Sequence, residues 1–303
     1  MKVLGIVAEY NPLHNGHLYH INKAKQETGA DAVIVVLSGD YVQRGELAVA
    51  NKWVRAESAI KNGIDAVFEI PVYACLGNAS VYASTAIKLL AATGIIDVIS
   101  FGSESGNLKE LTDIVYNLND VRISERISEL SKEGCSYPRA REIAYEELFG
   151  CNSHEALRRP NDTLAIEYIK TQLSLKNSNL ALHTVKRESS GYSAAFDNRM
   201  RFQSASGIRQ AIRDKVDVSD FMPEDSFRYM ISNSAIIRDK IDDNLFNLVR
   251  YALLNLSPDE IDEFPQGGEG IGAKLLEAIR TSNSINDLIM VAKSKRYTYT
   301  RIS

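Results

Sequence analysis

The sequence predicts an α/β fold: a doubly wound parallel sheet followed by a helical C-terminal region. Three observations predict it. Short apolar runs alternate with helical patterns through the first hundred residues. The run from Asp31 to Leu37 is almost continuously apolar, as a strand covered on both faces requires. Beyond Pro223 the apolar residues recur only at helical spacing, as at Phe246, Val249, Leu253 and Leu254, then Leu275, Leu276 and Ile279.

The elements follow in order. Val3–Ala8 is the first expected strand. A helix from Gly16 to Thr28 follows, stopped near Gly29. Asp31–Leu37 is the second strand, and Lys52–Asn62 a helix ended by Gly63. Asp65–Ile70 is the third strand, ended by Pro71. Asn78–Thr93 is a helix with Gly94 as its C-terminal cap, and Asp97–Phe101 is the fourth strand. Residues 107–176 read as mostly helical, with Pro138 and Pro160 as breakers and Pro160–Thr163 as the cap of a helix over Leu164–Leu175. Leu180–Lys186 is the fifth strand, and a polar loop then leads to a helix from Ser204 to about Arg213. The expected organisation is a unit over 1–215 with a helical insertion at about 107–176, then a helical region over 216–303. No internal repeat or low-complexity tract interrupts it.

The composition is that of an ordinary globular chain. It has 303 residues, 45% hydrophobic and 24% charged. No apolar run approaches the roughly 18 residues that span a bilayer. No basic segment followed by an apolar core opens the chain, so no signal peptide is evident. Cys75, Cys135 and Cys151 are few and far apart, which fits reduced packing thiols in the cytoplasm. The net charge of −4 makes a nucleic-acid coat protein a poor reading, yet leaves room for a local basic face.

Three of the five histidines, His14, His17 and His20, fall within seven residues. They lie where the first strand turns into the first helix, in the run His14-Asn15-Gly16-His17. Unpaired N–H groups and the helix dipole favour an anion there. Two imidazoles can donate to phosphate oxygens, and Gly16 allows close approach of the backbone. This layout can hold a nucleoside triphosphate and stabilise charge as its α-phosphate is attacked. A plain polar cap or a satisfied core histidine is the bland reading. A zinc site lacks a clear third ligand and any Cys-pair or HExxH pattern. Far downstream, Ser204-Ala205-Ser206-Gly207-Ile208-Arg209 offers hydroxyls, N–H groups and an arginine at a second helix start, a second phosphate cradle.

The first motif resembles the HxGH signature of the nucleotidyltransferase superfamily, and the second its Ser-Ser/Thr-x-Ile-Arg motif. The resemblance implies a Rossmann-like nucleotidyltransferase fold. A set of narrower motifs closely resembles the tRNA(Met) cytidine acetate ligase family. They are Val7–His20, Ser38-Gly39-Asp40 through Gln43-Arg44-Gly45-Glu46, Asn51-Lys52-Trp53, Glu69-Ile70-Pro71, Phe101–Glu104 and Pro160-Asn161-Asp162. That family is implied to activate acetate with ATP, giving acetyl-adenylate, and to pass the acetyl group to N4 of the wobble cytidine of elongator tRNA(Met).

By resemblance, ATP contacts fall on Val7, Ala8, Glu9, Tyr10, Asn11, Pro12, Leu13, His14, Asn15, Gly16, His17, Leu18, Tyr19 and His20. Further contacts fall on Gly102, Asn161 and Arg187, and the second motif adds Ser206 and Arg209. His14 and His17 are the expected catalytic pair. Mg²⁺ is expected to accompany ATP through phosphate oxygens and water, without a dedicated metal motif.

Basic residues interleaved with aromatics suit RNA, and Arg44, Lys52, Arg158, Arg159, Lys295 and Arg296 are the candidate tRNA contacts. For any single basic pair a solvated helix face is the competing reading. Members of the family are longer and continue past the segment matching Tyr297–Arg301, a departure that leaves part of the expected tRNA-binding surface unassigned. Two other functions compete: an adenylyltransferase for a small phosphorylated coenzyme precursor, and a non-catalytic RNA-binding protein on the same fold. Both histidines and the distal arginine motif count against the latter, and the long basic helical portion counts against the former.

Overall fold

A computed structural model describes residues 1–43, 45–150, 155–175, 179–188, 196–197, 200–233, 238–264, 267–268, 270–294 and 297–302. Its centre is a five-stranded parallel sheet of β1 (Val3–Ala8), β2 (Ala32–Ser38), β3 (Ala66–Ile70), β4 (Val98–Ser103) and β5 (Ala181–Lys186). The strand order is β3-β2-β1-β4-β5. The order reverses between β1 and β4, which opens a crevice beyond their carboxyl ends, where ligands of such sheets bind.

Side chains of β1 and β2 alternate between two cores. Val3, Ile34 and Val36 face one core, with α4 (Ala79–Ala92) and α9 (Pro160–Ser174). Leu4, Ile6, Val33, Val35 and Leu37 face the other, with α1 (Asn15–Thr28) and α2 (Lys52–Lys61). Burial on both faces is why these strands read as continuous apolar runs. A repeated device registers the sheet. Gly29, Gly63 and Gly94 end or follow helices with positive φ. Two to three residues later Asp31, Asp65 and Asp97 accept from the N–H groups of Lys2, Val33 and Val3 on or just before the neighbouring strand, each at 2.7 Å.

The short helix α3 (Val72–Cys75) follows β3. Helices α5 (Leu108–Leu118), α6 (Val121–Lys132), α7 (Tyr137–Phe149) and α8 (Glu155–Arg158) precede α9. Pro138, expected as a breaker, starts a helix instead, and Pro160 opens the helix whose start it was expected to mark. Pro138 and Pro160 occupy the first turns of α7 and α9, where a missing N–H costs nothing. Helix α9 thus begins four residues earlier than expected, and its N-cap, Arg159, makes no side-chain cap bond.

Helix α10 (Ala205–Arg213) and α11 (Glu224–Asn233) share a small core with the loop before α2, built on Ile208, Ala211, Val218 and Met222. Helix α11 is pinned to the first unit, because Ser226 Oγ donates to the Leu13 carbonyl at 2.9 Å and Tyr229 Oη to Glu57 at 2.6 Å. A further cluster joins α12 (Arg238–Leu254), α13 (Pro258–Asp262), α14 (Ile271–Ile279) and α15 (Ile285–Ala292), through Phe246, Leu253, Ile261, Ile279 and Leu288. The short α16 (Tyr299–Ile302) packs on α15. No helix among the described residues is long and apolar enough to cross a membrane.

Candidate active site

A cleft of about 370 Å³ lies over the β1–β4 crevice, within the size range of small-molecule sites. Of the fourteen residues expected from Val7 to His20, eight line it: Val7, Ala8, Glu9, Tyr10, Asn11, His14, His17 and His20. Gly102, Asn161, Arg187, Ser206 and Arg209 line it as well, brought together from four separate segments.

The other six take structural places. Leu13 is buried beneath the turn, and Leu18 packs against the α1-side core. Pro12 lies outside the cleft lining. Asn15 donates to the Asp220 carbonyl at 2.8 Å. Tyr19 donates to Glu188 at 2.6 Å and meets the Phe202 ring at a tilt, centroids 5.2 Å apart. Gly16 and Tyr19 line a smaller adjoining cavity with the three histidines and Arg187.

The histidines cap their own helix. His14 Nδ1 accepts from the Gly16 N–H at 3.1 Å, and His17 Nδ1 accepts from the His14 N–H at 3.3 Å. Their rings stack at 3.7 Å, and Tyr10 meets His17 edge-on at 5.0 Å. A Cβ on residue 16 would come within 2.9 Å of the His14 ring. Glycine is therefore required there to admit the capping imidazole, a local reason beside the expected approach of a ligand.

Burial, reinforced by the Arg187 guanidinium, pushes His14 down to about 3. Burial and then the neighbouring His14, Arg187 and His20 hold His17 well below the imidazole range. Both are neutral at pH 7. With Nδ1 occupied as an acceptor, each must carry its proton on Nε2. The pair therefore offers two uncharged N–H donors, and the positive charge comes from Arg187 and Arg209.

Arg187 follows β5 and its N–H bonds the Ser103 carbonyl at 2.9 Å. Its side chain lies over Gly102, where a Cβ would meet Cγ at 3.3 Å. Arg209 donates to the Asn11 carbonyl at 2.7 Å and approaches Glu46 at 3.5 Å. The N-cap of α10 is Ser204, whose Oγ accepts from Gly207 N–H at 3.0 Å. Ser206 is not that cap; its hydroxyl pairs with Ser204 Oγ at 3.1 Å on the cleft wall.

Two further carboxamide and carboxylate groups shape the wall from behind. Asn11 Oδ1 accepts from Val49 N–H at 2.7 Å, and Glu9 Oε1 from Gln43 N–H at 2.9 Å. They fix the loop that brings Val42, Gln43 and Glu46 to the cleft. Tyr10, at a left-handed φ of 43°, turns the chain from β1 toward α1. Its buried hydroxyl has no hydrogen-bond partner among the described residues.

Sequence reasoning missed several lining residues. Leu164 and Tyr168 lie three and seven residues after Asn161 on one face of α9, a spacing that carried the signal. Phe101 adjoins Gly102, whereas Tyr82 on α4 had no sequence signal. Among the described residues no three of His, Cys, Asp and Glu converge as a metal ligand set.

A family model described as HIGH Nucleotidyl Transferase matches residues 1–303. A tRNA(Met) cytidine acetate ligase of Clostridium novyi is 37% identical over 315 residues, covering 100% of this chain and 77% of that protein. The chain belongs to the tRNA(Met) cytidine acetate ligase family. A ligase of that name from a Thermoanaerobacter species is 38% identical, with 100% of this chain and 76% of the relative covered. The crystal structure of apo TmcAL from Thermotoga maritima matches with a TM-score of 0.89 at 34% identity, over 100% of this chain and 73% of that one. TmcAL bound with alpha-thio ATP matches with a TM-score of 0.86 at the same identity and coverage.

Against that family background the candidate tRNA contacts look less free than the sequence suggests. Lys52 Nζ lies 2.7 Å from Glu69 and 5.4 Å from the Trp53 ring. Arg158 pairs with Glu142, and Arg159 pairs with Glu155 and lies 3.7 Å from Asp162. Arg44, Lys295 and Arg296 lie outside the described residues.

Proposed function

We propose that this chain activates acetate with ATP and transfers the acetyl group to N4 of the wobble cytidine of elongator tRNA(Met). The observation that carries the reading is the convergence of neutral Nε2–H donors from His14 and His17 with the Arg187 and Arg209 guanidinium groups in one cleft, in a chain of this family. An acetate oxygen attacks the α-phosphorus of ATP. The bond from that phosphorus to the bridging oxygen breaks, and pyrophosphate leaves. Such a step needs positioning and charge stabilisation more than an acid or a base. The cytidine amine then attacks the acetyl carbon, loses a proton and releases AMP.

The roles divide by chemistry. His14 and His17 donate to the α-phosphate oxygens as charge moves onto them. Arg187, Arg209 and Ser206 hold the triphosphate. Gly102 and Asn161 face the nucleoside. The apolar wall of Phe101, Leu164 and the Tyr168 ring suits the acetate methyl group. Mg²⁺ bound with ATP would neutralise phosphate charge, and Glu46, which lines the cleft 3.5 Å from Arg209, is a carboxylate that would face it. The helical region 216–303, together with Arg158 and Arg159, bears the tRNA. A cytoplasmic location belongs to the same proposal, because ATP and mature tRNA are found there.

The test is incubation with ATP, labelled acetate and total bacterial tRNA, followed by nucleoside analysis. Label in N4-acetylcytidine of tRNA(Met) is the expected result. Adenylation of a small phosphorylated acceptor with no label in tRNA would overturn the reading.

A further inference from the structure

His20 stands apart from the other two histidines because its Nε2 is already taken. It lies 2.9 Å from Ser100 Oγ, and Ser100 Oγ lies 3.0 Å from His183 Nδ1. His183 Nε2 in turn lies 3.0 Å from Glu27 Oε2. Both ends of this hydrogen-bond chain lie on one helix. His20 and Glu27 are seven residues apart on one face of α1, and Ser100 and His183 are direct partners in the β4–β5 register. Ser100 is fully buried.

A carboxylate only accepts, so Glu27 orients every proton in the chain. In its neutral form His183 donates from Nε2 to Glu27, which leaves its Nδ1 to accept from the Ser100 hydroxyl. Ser100 oxygen then accepts from His20 Nε2–H. His20 is left with a bare Nδ1, and no partner for that atom is found among the described residues. Burial, reinforced by the Arg187 guanidinium, holds the His20 ring neutral.

We propose that Glu27, His183 and Ser100 are positioning residues that lock His20 as a hydrogen-bond acceptor in the cleft. An acceptor repels phosphate oxygens and takes a hydroxyl or amino donor. His20 therefore reads the nucleoside of ATP, while His14 and His17 read its phosphates. This second half rests on the ATP reading of the cleft, whereas the proton arrangement does not.

Long-range ¹⁵N–¹H NMR of the imidazoles in the ligand-free protein tests the lock, without acetate or tRNA. The expected result is a proton on Nε2 of His20. Glu27→Gln, which can donate as well as accept, and Ser100→Ala should each give mixed tautomers. In both variants ATP affinity should fall about two- to tenfold, the scale of one neutral hydrogen bond. Inorganic tripolyphosphate affinity should stay unchanged. A wild-type proton on Nδ1, or unaltered tautomers in both folded variants, would overturn the lock. Equal losses of ATP and tripolyphosphate affinity would overturn the nucleoside assignment, whatever the outcome with tRNA.

Discussion

Glu104 and Asp162 clasp each other's backbones across the cleft wall. Glu104 accepts from the Asn161 and Asp162 N–H groups at 3.2 and 2.8 Å, and from the Asn161 side chain at 2.6 Å. Asp162 accepts from the Glu104 and Ser105 N–H groups at 2.8 and 3.2 Å. One carboxylate thus caps α9 while the other holds the turn after β4. Gly102 and Asn161 sit on either side of this clasp.

Replacing Asp162 by alanine should leave two backbone donors in a partly buried turn without partners. The expected loss is about 2–3 kcal/mol of stability, the range for unsatisfied buried groups. ATP affinity should fall as well, because Gly102 and Asn161 lose their fixed separation. Urea unfolding and nucleotide titration on one preparation check both. An unchanged midpoint would mean that the clasp is incidental.

The sheet and the two motif-bearing turns were legible because their signals are local. The apolar runs of β1 and β2, the helix-ending glycines and the His14–His17 turn each lie within a few consecutive residues. The clasp, the Glu27–His183–Ser100–His20 circuit and the cleft position of Tyr82 were not legible. Each joins residues tens of positions apart, and only strand register or helix packing brings them together. Pro138 misled for a physical reason. Proline breaks a helix interior but suits a first turn, and the residues around Pro138 do not distinguish the two. Nor does the sequence show the carboxylate that meets each cation, as Glu142 meets Arg158.

His17→Ala removes one Nε2–H donor and one ring of the stacked pair. Acetyl-adenylate formation should slow by about 10²- to 10³-fold, the cost of one oxyanion-type donor. Binding of ATP should change much less, because Arg187 and Arg209 supply the charge. Pyrophosphate release with acetate and no tRNA reads the first step in isolation. Turnover at the wild-type rate would remove His17 from the mechanism.

Stability should depend on pH through the histidines. The folded-state value of His14, about 3, lies below its ordinary 6.5. Between the two, the unfolded chain binds a proton that the folded chain refuses, so stability increases with pH over that interval. The contribution is complete above about pH 6.5 and is lost as pH falls toward 3. At pH 5 His14 alone should account for about 2 kcal/mol. Urea midpoints at pH 7.5, 6 and 5 should decline in that order. A flat profile would contradict the burial of a neutral imidazole.

Arg209→Ala should weaken ATP binding and adenylate formation more than tRNA binding. The side chain also ties α10 to the Asn11 carbonyl, so a small stability loss should accompany it. Arg209→Lys separates the effects: it keeps a positive charge but loses the fork that reaches both Asn11 and Glu46. If lysine restores ATP affinity, charge is what the phosphates need. If tRNA binding alone responds in either variant, the second motif belongs to the RNA surface.

Binding of tRNA should weaken steeply with salt, although the chain carries a net charge of −4. Phosphate contacts release counterions, and a local patch suffices for that. The carboxylate partners of Arg158 and Arg159 do not forbid such contacts, because both guanidinium groups stay exposed beside them and the exposed Arg159–Glu155 pair is worth about 0–1 kcal/mol. Substituting Arg158 and Arg159 together should reduce the slope of log affinity against log salt by up to about 2, with acetyl-adenylate formation unchanged. A slope identical to wild type would place the tRNA elsewhere. Lys52 is then the next cation to substitute, since its Glu69 partner and the neighbouring Trp53 ring put a charge and an exposed aromatic surface side by side on α2.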